Sequence, residues 1–444
     1  MASGLSKTKW DERVSSIPKN GSNDNSLDVS LTYEGKKSKQ EILSVSPADT
    51  QSLWKGSPAD NRLYYGDNLH ILASLLNDNS VCGKVRLIYI DPPFATKSVF
   101  QSRTQIDAYT DLLEGSHYIE FIRERLILLR ELLADDGSIY VHLDENMAFY
   151  VKVVMDEVFG KGNFRNWITR KKCNPKNYTR KTYGDISDYI LFYTKSKDYV
   201  WNRAVEAWTE EKILKEYTYV EEGTGRKYKK VPVHAPGERN GETGKIWHGM
   251  MPPKGKHWQY TPQTLNEMDA RGEIYWSPTG NPRRKVYLDE SNGIPAQDIW
   301  LDFRDAHNQN IEITGYPTEK NPNLLKRIIQ ASSNPNDLVL DCFAGSGTSL
   351  QSADELNRKW IGIDNSQEAI NTILHRFTSG TSPMGDYVNN GKGKTTKMKS
   401  LPLFQVKDFE LLATRSQNIS ETDLQHWLNL LNPLILQSNQ PTMI

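Results

Sequence analysis

The sequence predicts an α/β protein with a doubly wound, mostly parallel sheet. Apolar runs of strand length, for example at 85–90 and 189–193, alternate with amphipathic segments of helix length. Nearly continuous apolar runs are typical of parallel strands, because helices cover both of their faces. A second observation supports the same fold class. At 337–348 a strand leads through a glycine-rich turn into a helix, which is how nucleotide-binding α/β units begin.

Length and composition favour a globular protein with a polar surface. The 444 residues can form one large α/β domain and a second one, and 37% are hydrophobic against 25% charged. No apolar stretch is long enough to span a membrane, and the first residues lack the apolar centre of a signal peptide. Neither the three cysteines nor the histidines have the spacing of a metal site or a disulfide framework. We therefore expect a cytoplasmic protein without metal or membrane contact.

The N-terminal part of the chain supplies the first elements of the sheet. Residues 1–45 are polar and rich in Ser, Asn and Lys, which predicts a flexible N-terminal arm. Residues 46–199 then form the first half of the α/β domain. Its predicted elements are strands at 63–65, 85–90, 138–143 and 189–193 and helices at 69–76, 117–133 and 147–158, with Asp67 as the N-cap of the first helix.

The regular alternation ends at 200–310. Gly, Pro, Trp and Tyr occur there in irregular order, which predicts a separate, loop-rich insert. Aromatic residues interleaved with basic ones suit a surface that packs against bases, although a small core would account for most of the tryptophans. The α/β pattern returns at 311–380 with a helix at 324–332. Residues 381–444 are expected to form a linker and a C-terminal helix at 420–436.

Basic residues cluster locally although the net charge is zero. Between 161 and 199 the chain has ten Lys or Arg and three acids, and further basic groups lie at 226–230 and 283–285. A local basic stripe, rather than the overall charge, is what holds nucleic-acid phosphates. A solvated lysine-rich face is the alternative interpretation. The candidate DNA contacts are Arg170, Lys171, Lys172, Lys176, Arg180, Lys181, Arg283 and Arg284.

A turn of rare composition follows the apolar run at 85–90. Asp91, Pro92, Pro93 and Phe94 join an acid, two prolines and an aromatic ring just past the strand. The prolines end the strand and stiffen the turn, and ligands of open α/β sheets bind at the carboxyl ends of the strands. A carboxylate, backbone carbonyls without ladder partners and a ring suit a flat heterocycle that carries an amino group. The sequence therefore predicts a site for such a ligand at this turn.

A second ligand site is predicted far along the chain. The glycine-rich turn at 341–348 lets a ligand approach the backbone closely at the start of a helix. The next strand, at 360–364, ends in Asp364, where an acid can accept hydrogen bonds from both hydroxyls of a ribose. Gly-x-Gly alone is weak evidence, and the strand before it and the acid after it strengthen the prediction.

These two motifs resemble those of the S-adenosylmethionine-dependent DNA amino-methyltransferases. Asp-Pro-Pro-Phe at 91–94 is similar to the family's catalytic motif, and Asp-Cys-Phe-Ala-Gly-Ser-Gly-Thr at 341–348 is similar to its cofactor motif. The catalytic motif comes first and a long insert separates the two, which is the order of the family's beta class. The resemblance covers 60–376, and 161–200 also resembles the modification subunits of type III restriction systems. Further similar stretches lie at 65–69, 132–138, 188–193 and 316–320.

The resemblance implies a fold, a cofactor and a set of site residues. The fold is a Rossmann-like methyltransferase sheet in circularly permuted motif order, with 200–310 as the target recognition domain and 311–380 as the cofactor-binding half. The cofactor is S-adenosylmethionine, and the catalytic residues are Asp91, Pro92, Pro93 and Phe94. The cofactor-binding residues are Asp67, Asn68, Asp91, Lys320, Asp341, Phe343, Ala344, Gly345, Ser346, Gly347, Thr348, Asp364 and Asn365.

Two positions depart from the family's pattern. Phe94 stands where most members have Tyr, which keeps a ring for stacking but loses a hydroxyl contact. The family's Lys-Pro pair is Lys320-Asn321-Pro322 in this chain, which changes the spacing at a turn that contacts the cofactor.

The resemblance implies methyl transfer to N6 of an adenine that is flipped out of double-stranded DNA, because Asp at position 91 occurs mostly with adenine targets. A cytosine-N4 methyltransferase on the same scaffold is an alternative. So are a methyltransferase of protein glutamine or RNA and a catalytically silent DNA-recognition subunit. Intact Asp91, Gly345 and Gly347 argue against the silent subunit. A restriction endonuclease and a second copy of the chain are further partners that the resemblance suggests.

Overall fold

The computed structural model describes residues 29–93, 99–101, 107–110, 115–175, 181–305, 312–314, 316, 319–379, 382–383 and 408–438. The strands are β1 Thr50–Lys55, β2 Asn61–Tyr65, β3 Val85–Ile90, β4 Val99–Gln101, β5 Asp107–Thr110, β6 Leu133–Leu143, β7 Phe164–Lys171, β8 Ser187–Thr194, β9 Val205–Glu206, β10 Tyr219–Val220, β11 Lys227–Pro232, β12 His234–Pro236, β13 Lys256–Trp258, β14 Ile274–Trp276, β15 Pro282–Tyr287, β16 Ile294–Pro295, β17 Ile299–Trp300, β18 Glu312–Ile313, β19 Leu338–Asp341, β20 Lys359–Asp364, β21 Ser382–Pro383 and β22 Phe409–Thr414. The helices are α1 Lys39–Leu43, α2 Asn68–Leu76, α3 Gly115–Leu132, α4 Ala148–Phe159, α5 Glu210–Glu216, α6 Pro262–Ala270, α7 Pro322–Ser332, α8 Thr348–Glu355, α9 Gln367–Ser379 and α10 Glu421–Ser438.

A ten-stranded sheet forms the centre of the molecule, in the order β1-β22-β2-β20-β19-β3-β6-β8-β7-β17. Strands β1 and β8 are antiparallel to their neighbours, and the other eight strands point in one direction. The fold class is therefore the mostly parallel α/β sheet that the sequence predicts. Strands β19 and β20, from the second half of the chain, lie between β2 and β3 from the first half. The carboxyl ends of β2, β20, β19 and β3 therefore lie side by side at one edge.

Helices cover both faces of the sheet, so the fold is doubly wound. Along β3 the side chains alternate: Ile88 and Ile90 point into the core that α1 to α4 share, and Leu87 and Tyr89 into the core on the other face. That second core contains the apolar side chains of α7, α8, α9 and α10. Every helix in the described part of the chain is too short or too polar to cross a lipid bilayer.

Two helix caps agree with the local sequence. Asp67 is the N-cap of α2, as predicted, and accepts a hydrogen bond of 2.8 Å from the backbone N–H of Leu69. Asn321 is the N-cap of α7, and Pro322 occupies the first turn of that helix, where a missing N–H costs nothing. The extra residue between Lys320 and Pro322 therefore serves to start α7.

Three predicted boundaries are wrong. The flexible arm was expected to include 29–45, but Ile42 is fully buried there and Lys36 pairs with Glu157 at 2.7 Å. The C-terminal segment was expected to be a linker and a helix, but β22 lies inside the central sheet between β1 and β2. A strand far along the chain gives no local indication of its place in a sheet. The insert was expected to continue to residue 310, but β17 already pairs with β7 in the central sheet.

The region between β8 and β17 has a small core of its own. Strands β10, β11, β15 and β14 form an antiparallel sheet, and β12 pairs with β13. Trp247 and Trp258 are buried in a cluster with Leu265 and Met268, and Trp276 packs against it. Most of the tryptophan clustering in the sequence therefore reflects packing, and Trp201 is half exposed.

The pairing of β3 with β6 leaves no space for a side chain at Gly137. Val85 is paired with Leu133 and Leu87 with Ser138, so the residues between them bulge from β6. A Cβ atom at Gly137 would lie 2.9 Å from both Ala134 O and Val85 O.

We therefore predict that Gly137→Ala lowers the free energy of unfolding by about 1–3 kcal/mol, because overpacking against backbone forces the strands apart. Urea unfolding measures the change. Gly162→Ala is the control, since a Cβ atom there has no heavy atom within 4 Å. Equal midpoints for the two variants would contradict the prediction.

Candidate active site

The strand ends at the shared edge surround a cavity of about 430 Å³. Its volume lies in the range that accommodates a small organic ligand. The turn after β3, the turn after β19 and the ends of β2 and β20 all contribute to its wall. The lining residues are Asp67, Asn68, Tyr89, Asp91, Pro92, Pro93, Phe121, Arg125, Tyr316, Glu319, Lys320, Leu325, Asp341, Cys342, Phe343, Ala344, Gly345, Ser346, Thr348, Ser349, Asp364, Asn365 and Ser366.

Most of the predicted cofactor-binding and catalytic residues meet in this cavity. Gly347 does not line it, and instead supplies the left-handed backbone, at φ 73°, that starts α8. A Cβ atom at Gly347 would lie 2.9 Å from Ile373. Of the four predicted catalytic residues, Asp91, Pro92 and Pro93 line the cavity, and Phe94 lies outside the described residues.

Asp91 presents one engaged and one unengaged carboxylate oxygen. Its Oδ2 atom lies 2.9 Å from the ammonium of Lys320. Its Oδ1 atom is buried and accepts no hydrogen bond from any described residue. A buried carboxylate oxygen without a donor is costly, unless a ligand supplies the donor. This atom is therefore the best-placed acceptor for an N–H group in the cavity.

Asp341, the last residue of β19, holds the glycine-rich turn that follows it. Its carboxylate accepts hydrogen bonds from the Phe343 N–H, at 3.0 Å, and from the Ser349 hydroxyl. Burial raises the pKa of Asp341 to about 7. A backbone hydrogen bond of 3.0 Å from Ala344 N to Ile363 O ties the turn to β20. Hydrogen bonds within the protein thus hold the turn in place.

Asp364 ends β20 at the predicted position beside the glycine-rich turn. Its carboxylate accepts hydrogen bonds of 2.8 Å from the backbone N–H groups of Gly345 and Ser366. Burial raises its pKa, and these backbone donors act in the opposite direction. Oxygen lone pairs that these donors leave free can accept hydrogen bonds from hydroxyl groups of a ligand.

Arg125 also lines the cavity, and sequence reasoning did not identify it. Its guanidinium donates to Asn68 Oδ1 at 2.6 Å, lies 3.3 Å from Asp67 Oδ1 and stacks 3.6 Å from the centre of the Phe121 ring. Asn68 in turn donates to Cys342 O at 2.7 Å, which joins the end of β2 to the end of β19. The available signal was the four-residue spacing of Phe121 and Arg125, which brings a charge onto the apolar face of α3.

A buried ion pair holds the segment before α7 against the glycine-rich turn. The side chains of Glu319 and Arg376 are each 1% exposed and form a salt bridge. Arg376 also donates to Ser346 O at 2.6 Å, and Glu319 accepts from the Thr314 N–H at 2.9 Å. The pair therefore links α9, the turn and the segment that carries Lys320. Sequence reasoning did not identify Arg376.

The prediction that Arg170 contacts DNA is wrong. Its side chain is fully buried and donates to Asp188 Oδ2 at 2.7 Å and to Phe303 O at 2.6 Å. The third guanidinium nitrogen pairs with Asp305. A cation that two carboxylates neutralise inside the protein is not available to a phosphate.

The other predicted DNA contacts differ in exposure. Lys176 and Arg180 lie outside the described residues. Lys172 pairs with Asp185 at 2.6 Å, and Arg284 donates to the Tyr260 hydroxyl at 2.8 Å. Lys171 is half-buried, and Lys181 and Arg283 are exposed. In the described part of the chain, no group of three or more His, Cys, Asp or Glu is arranged to hold a metal ion.

Comparison with known proteins gives a family and close relatives. A model of the DNA methylase family, named for N6 and N4 methyltransferases, matches residues 85–375. The type II methyltransferase M.EcaI of Enterobacter cloacae is 48% identical over 378 residues, which cover 83% of this chain and 82% of that protein. The type III restriction-modification enzyme StyLTI Mod subunit of Salmonella typhimurium is 27% identical over 368 residues, which cover 74% of this chain and 56% of the subunit.

The matches among solved structures are more distant. The M1.HpyAVI–SAM complex matches at 18% identity and a TM-score of 0.37, over 71% of this chain and 98% of that one. The PvuII DNA methyltransferase, described as cytosine-N4-specific, matches at 16% identity and a TM-score of 0.41, over 86% of this chain and 95% of that one.

We predict that Glu319→Gln lowers the free energy of unfolding by about 3 kcal/mol, because Arg376 then stays buried without its counter-charge. Chemical unfolding measures the loss. The matched control is Glu131→Gln, which breaks the more exposed pair with Lys39 and should cost about 1 kcal/mol or less. A Glu319→Gln variant as stable as the control would show that the pair does not hold the cavity wall.

Proposed function

The chain belongs to the DNA methylase family, and from that premise we propose that it transfers a methyl group from S-adenosylmethionine to N6 of an adenine in DNA. The observation that carries the proposal is Asp91, whose buried and unpartnered Oδ1 atom belongs to a carboxylate at the cavity wall. The target base leaves the duplex to reach such an enclosed site.

The cavity residues fit S-adenosylmethionine. Asp364 can accept hydrogen bonds from the ribose hydroxyls, and Phe121 and Phe343, whose ring centres are 6.0 Å apart, supply apolar surface for a flat base. Carboxylates around the cavity suit a sulfonium cation. When it is bound, the cofactor supplies an electrophilic methyl group. The remaining residues that we assign to this site are Asp67, Asn68, Lys320, Asp341, Ala344, Gly345, Ser346, Thr348 and Asn365.

Asp91 activates the target by accepting a hydrogen bond. An exocyclic amino group is a weak nucleophile because its lone pair is delocalised into the ring. Acceptors at Asp91 Oδ1 and the Pro92 carbonyl favour a pyramidal nitrogen with a localised lone pair. Lys320 engages the other oxygen of Asp91, which leaves Oδ1 for the substrate. The same carboxylate can take up the proton that the nitrogen loses.

Adenine is the preferred target because of the acid at position 91. Members of the family with Asp at this position act mostly on adenine N6, and those with Ser act mostly on cytosine N4. A cytosine-N4 methyltransferase is the second candidate, since the scaffold serves both bases. Phe94, which stacks on the flipped base in this proposal, lacks the hydroxyl of the commoner Tyr and does not distinguish the two.

We assign target recognition to the region between β8 and β17, whose core is separate from that of the sheet. Arg283 is exposed on β15, whereas most basic neighbours are engaged: Lys285 pairs with Glu221 at 2.8 Å and Lys229 pairs with Glu216 at 2.5 Å. Lys181 is exposed at the start of the segment leading into β8. These two side chains are the strongest candidates for phosphate contacts.

The StyLTI Mod subunit is named as part of a restriction-modification enzyme, and we propose the same setting for this chain. The type II assignment is favoured, because the chain is 48% identical to M.EcaI and only 27% identical to the Mod subunit. A restriction endonuclease partner, a homodimer and a cytoplasmic location stay predictions.

We predict that Asp91→Ala lowers methyl transfer by roughly 10²–10⁴-fold, because the acceptor for the amino group is lost. Binding of S-adenosylmethionine, measured by calorimetry, should change little. Transfer of tritiated methyl groups to DNA gives the rate, and mass spectrometry of digested DNA identifies N6-methyladenine as the product.

The control for this variant is Asp60→Ala, which removes an exposed carboxylate near Lys359. It should leave the rate unchanged. Normal turnover by Asp91→Ala would contradict the proposed mechanism. If the product is N4-methylcytosine, the target base is cytosine rather than adenine, and the assignment to the family still holds.

We predict that Arg283→Gln weakens DNA binding to a similar degree for all sequences and reduces the slope of log K against log salt by about one. Fluorescence anisotropy at several salt concentrations measures both. Arg271→Gln is the control, because that exposed guanidinium already pairs with Glu273 at 2.6 Å. An unchanged slope for Arg283→Gln would place the phosphate contacts elsewhere.

A further inference from the structure

Arg125 is a buried cation in the wall of the cavity, and no step of the proposed methyl transfer uses it. The residue lies on α3 and is 4% exposed. Burial lowers its pKa, and the charge of Asp67 is the main influence in the opposite direction. The Asp67 side chain is half exposed, however, and Glu124, 3.7 Å away, also pairs with Lys37. A buried cation without an equally buried partner of its own is costly, which is typical of a residue that serves a binding site.

All three guanidinium nitrogens of Arg125 are engaged within the protein. Nε donates to Asn68 Oδ1 at 2.6 Å, and Nη1 donates to Phe121 O at 2.9 Å. Nη2 donates to Asp67 Oδ1 at 3.3 Å. The guanidinium is a rigid, planar fork, so it holds these acceptors in a fixed relation to one another. Arg125 therefore acts on the cavity through its neighbours.

The contact with Asn68 fixes the direction of that buried amide. Because Oδ1 accepts from Arg125, the amide nitrogen faces the other way and donates to Cys342 O at 2.7 Å. In the reversed orientation two carbonyl oxygens would face each other, and the contact with Cys342 would be lost. Arg125 thus joins the start of α2 to the turn that follows β19.

The contact with Asp67 fixes the direction of a carboxylate at the cavity wall. Asp67 Oδ1 accepts from Arg125 and, at 2.8 Å, from the backbone N–H of Leu69. Two donors on one oxygen prevent the carboxylate from rotating. Among the described residues none donates to Oδ2, and Asp67 lines the cavity. Oδ2 is therefore an oriented acceptor for a ligand.

The order of the strands indicates which part of the cofactor meets Asp67. The carboxyl ends lie in the order β2, β20, β19 and β3. Asp67 follows β2, Asp364 ends β20 and Asp91 follows β3. In S-adenosylmethionine the ribose joins the adenine to the sulfonium end. With the methyl group towards Asp91 and the ribose at Asp364, the adenine extends towards the end of β2.

We infer that Arg125 is a positioning residue, which fixes Asp67 Oδ2 as the acceptor for the 6-amino group of the cofactor's adenine. The inference rests on the proposed function, because the direction of the cofactor follows from methyl transfer at Asp91. It adds a selectivity to that function. A purine with a carbonyl group at position 6 would place an oxygen against the carboxylate, so the site selects a 6-aminopurine.

The first test compares two ligands that differ at position 6 of the purine. S-adenosylhomocysteine has the amino group, and S-inosylhomocysteine has a carbonyl in its place. We expect the wild-type chain to bind the adenosyl compound about tenfold more tightly in calorimetry, the effect of one hydrogen bond to a charged group. Equal affinities would overturn the inference.

The second test repeats the comparison with Arg125→Gln. This variant leaves Asp67 free to rotate, so we expect about tenfold weaker binding of S-adenosylhomocysteine. Binding of S-inosylhomocysteine should change by about twofold or less, so that the preference for the amino compound is lost. An equal loss for both ligands would mean that Arg125 supports the cavity without orienting Asp67, and would overturn the inference.

Arg123→Gln is the matched control. Arg123 lies two residues earlier on α3, is 5% exposed and pairs with Glu157 at 3.2 Å. Its guanidinium also donates to Lys37 O at 2.9 Å, on the side of α3 that faces the N-terminal segment. Both variants remove a buried cation, so both should lower the thermal midpoint. Only Arg125→Gln should remove the preference for the adenosyl compound. Loss of the preference in both variants would overturn the inference.

Arg125→Lys keeps the test decisive if Arg125→Gln does not fold. Lysine retains the buried positive charge but has no planar fork, so it does not hold Asn68 and Asp67 together. We expect a folded chain whose preference for the adenosyl compound is reduced to about threefold or less. A wild-type preference in Arg125→Lys would overturn the inference.

The two ligands also separate the inference from the proposed function. A wild-type chain that binds both compounds equally leaves methyl transfer intact and removes only the role of Arg125. A wild-type chain that binds neither compound contradicts the proposed function, and the inference fails with it.

Discussion

The parallel pairing of β19 with β3 is the constraint on which the rest of the structure depends. Leu338, Val339 and Leu340 pair with β3, so the second half of the chain is inserted into the sheet of the first half. The carboxyl ends of parallel strands lie at one edge, and ligands of open α/β sheets bind there. This pairing alone brings the glycine-rich turn next to the Asp91 turn, although about 250 residues separate them in the sequence. A register slip of one residue would reverse the faces of both core layers.

The strand ends that meet at the cavity bring several carboxylates together, and nearby cations and backbone N–H groups compensate their negative charge. Asp91, Asp341 and Asp364 lie around one cavity, and burial raises the pKa of Asp341 and of Asp364. Lys320 lies beside the first, backbone N–H groups hydrogen-bond to the other two, and Arg376 is buried beside Glu319. The shape of the cavity therefore depends on hydrogen bonds and ion pairs as much as on the hydrophobic core.

Site residues at the ends of strands could be predicted from the sequence. Site residues that contact those strand ends from other helices and strands could not. Asp91 and Asp364 follow apolar runs, a local pattern that one sequence displays. Arg376 and Arg125 act through partners on other elements, and no local pattern encodes which buried cation meets which acid. Arg170 was misplaced for the same reason: a basic stripe in sequence does not separate a side chain that points outward from one that alternation on β7 turns into the core. Strand β22 was missed because nothing near it in the chain indicates its neighbours in the sheet.

On our proposal that the insert recognises the target, its separation from the sheet explains how one scaffold can serve many target sequences. The insert packs around its own cluster of Trp247, Trp258 and Leu265, so its exposed loops can change without disturbing the core that holds the cavity. The point at which the chain leaves the insert and rejoins the central sheet is fixed, however, because β17 pairs with β7 and Asp305 pairs with Arg170. That anchor joins the end of the insert to buried groups beneath the catalytic turn. The surface that we propose for recognition can vary while its point of attachment, and with it the geometry around Asp91, stays constant.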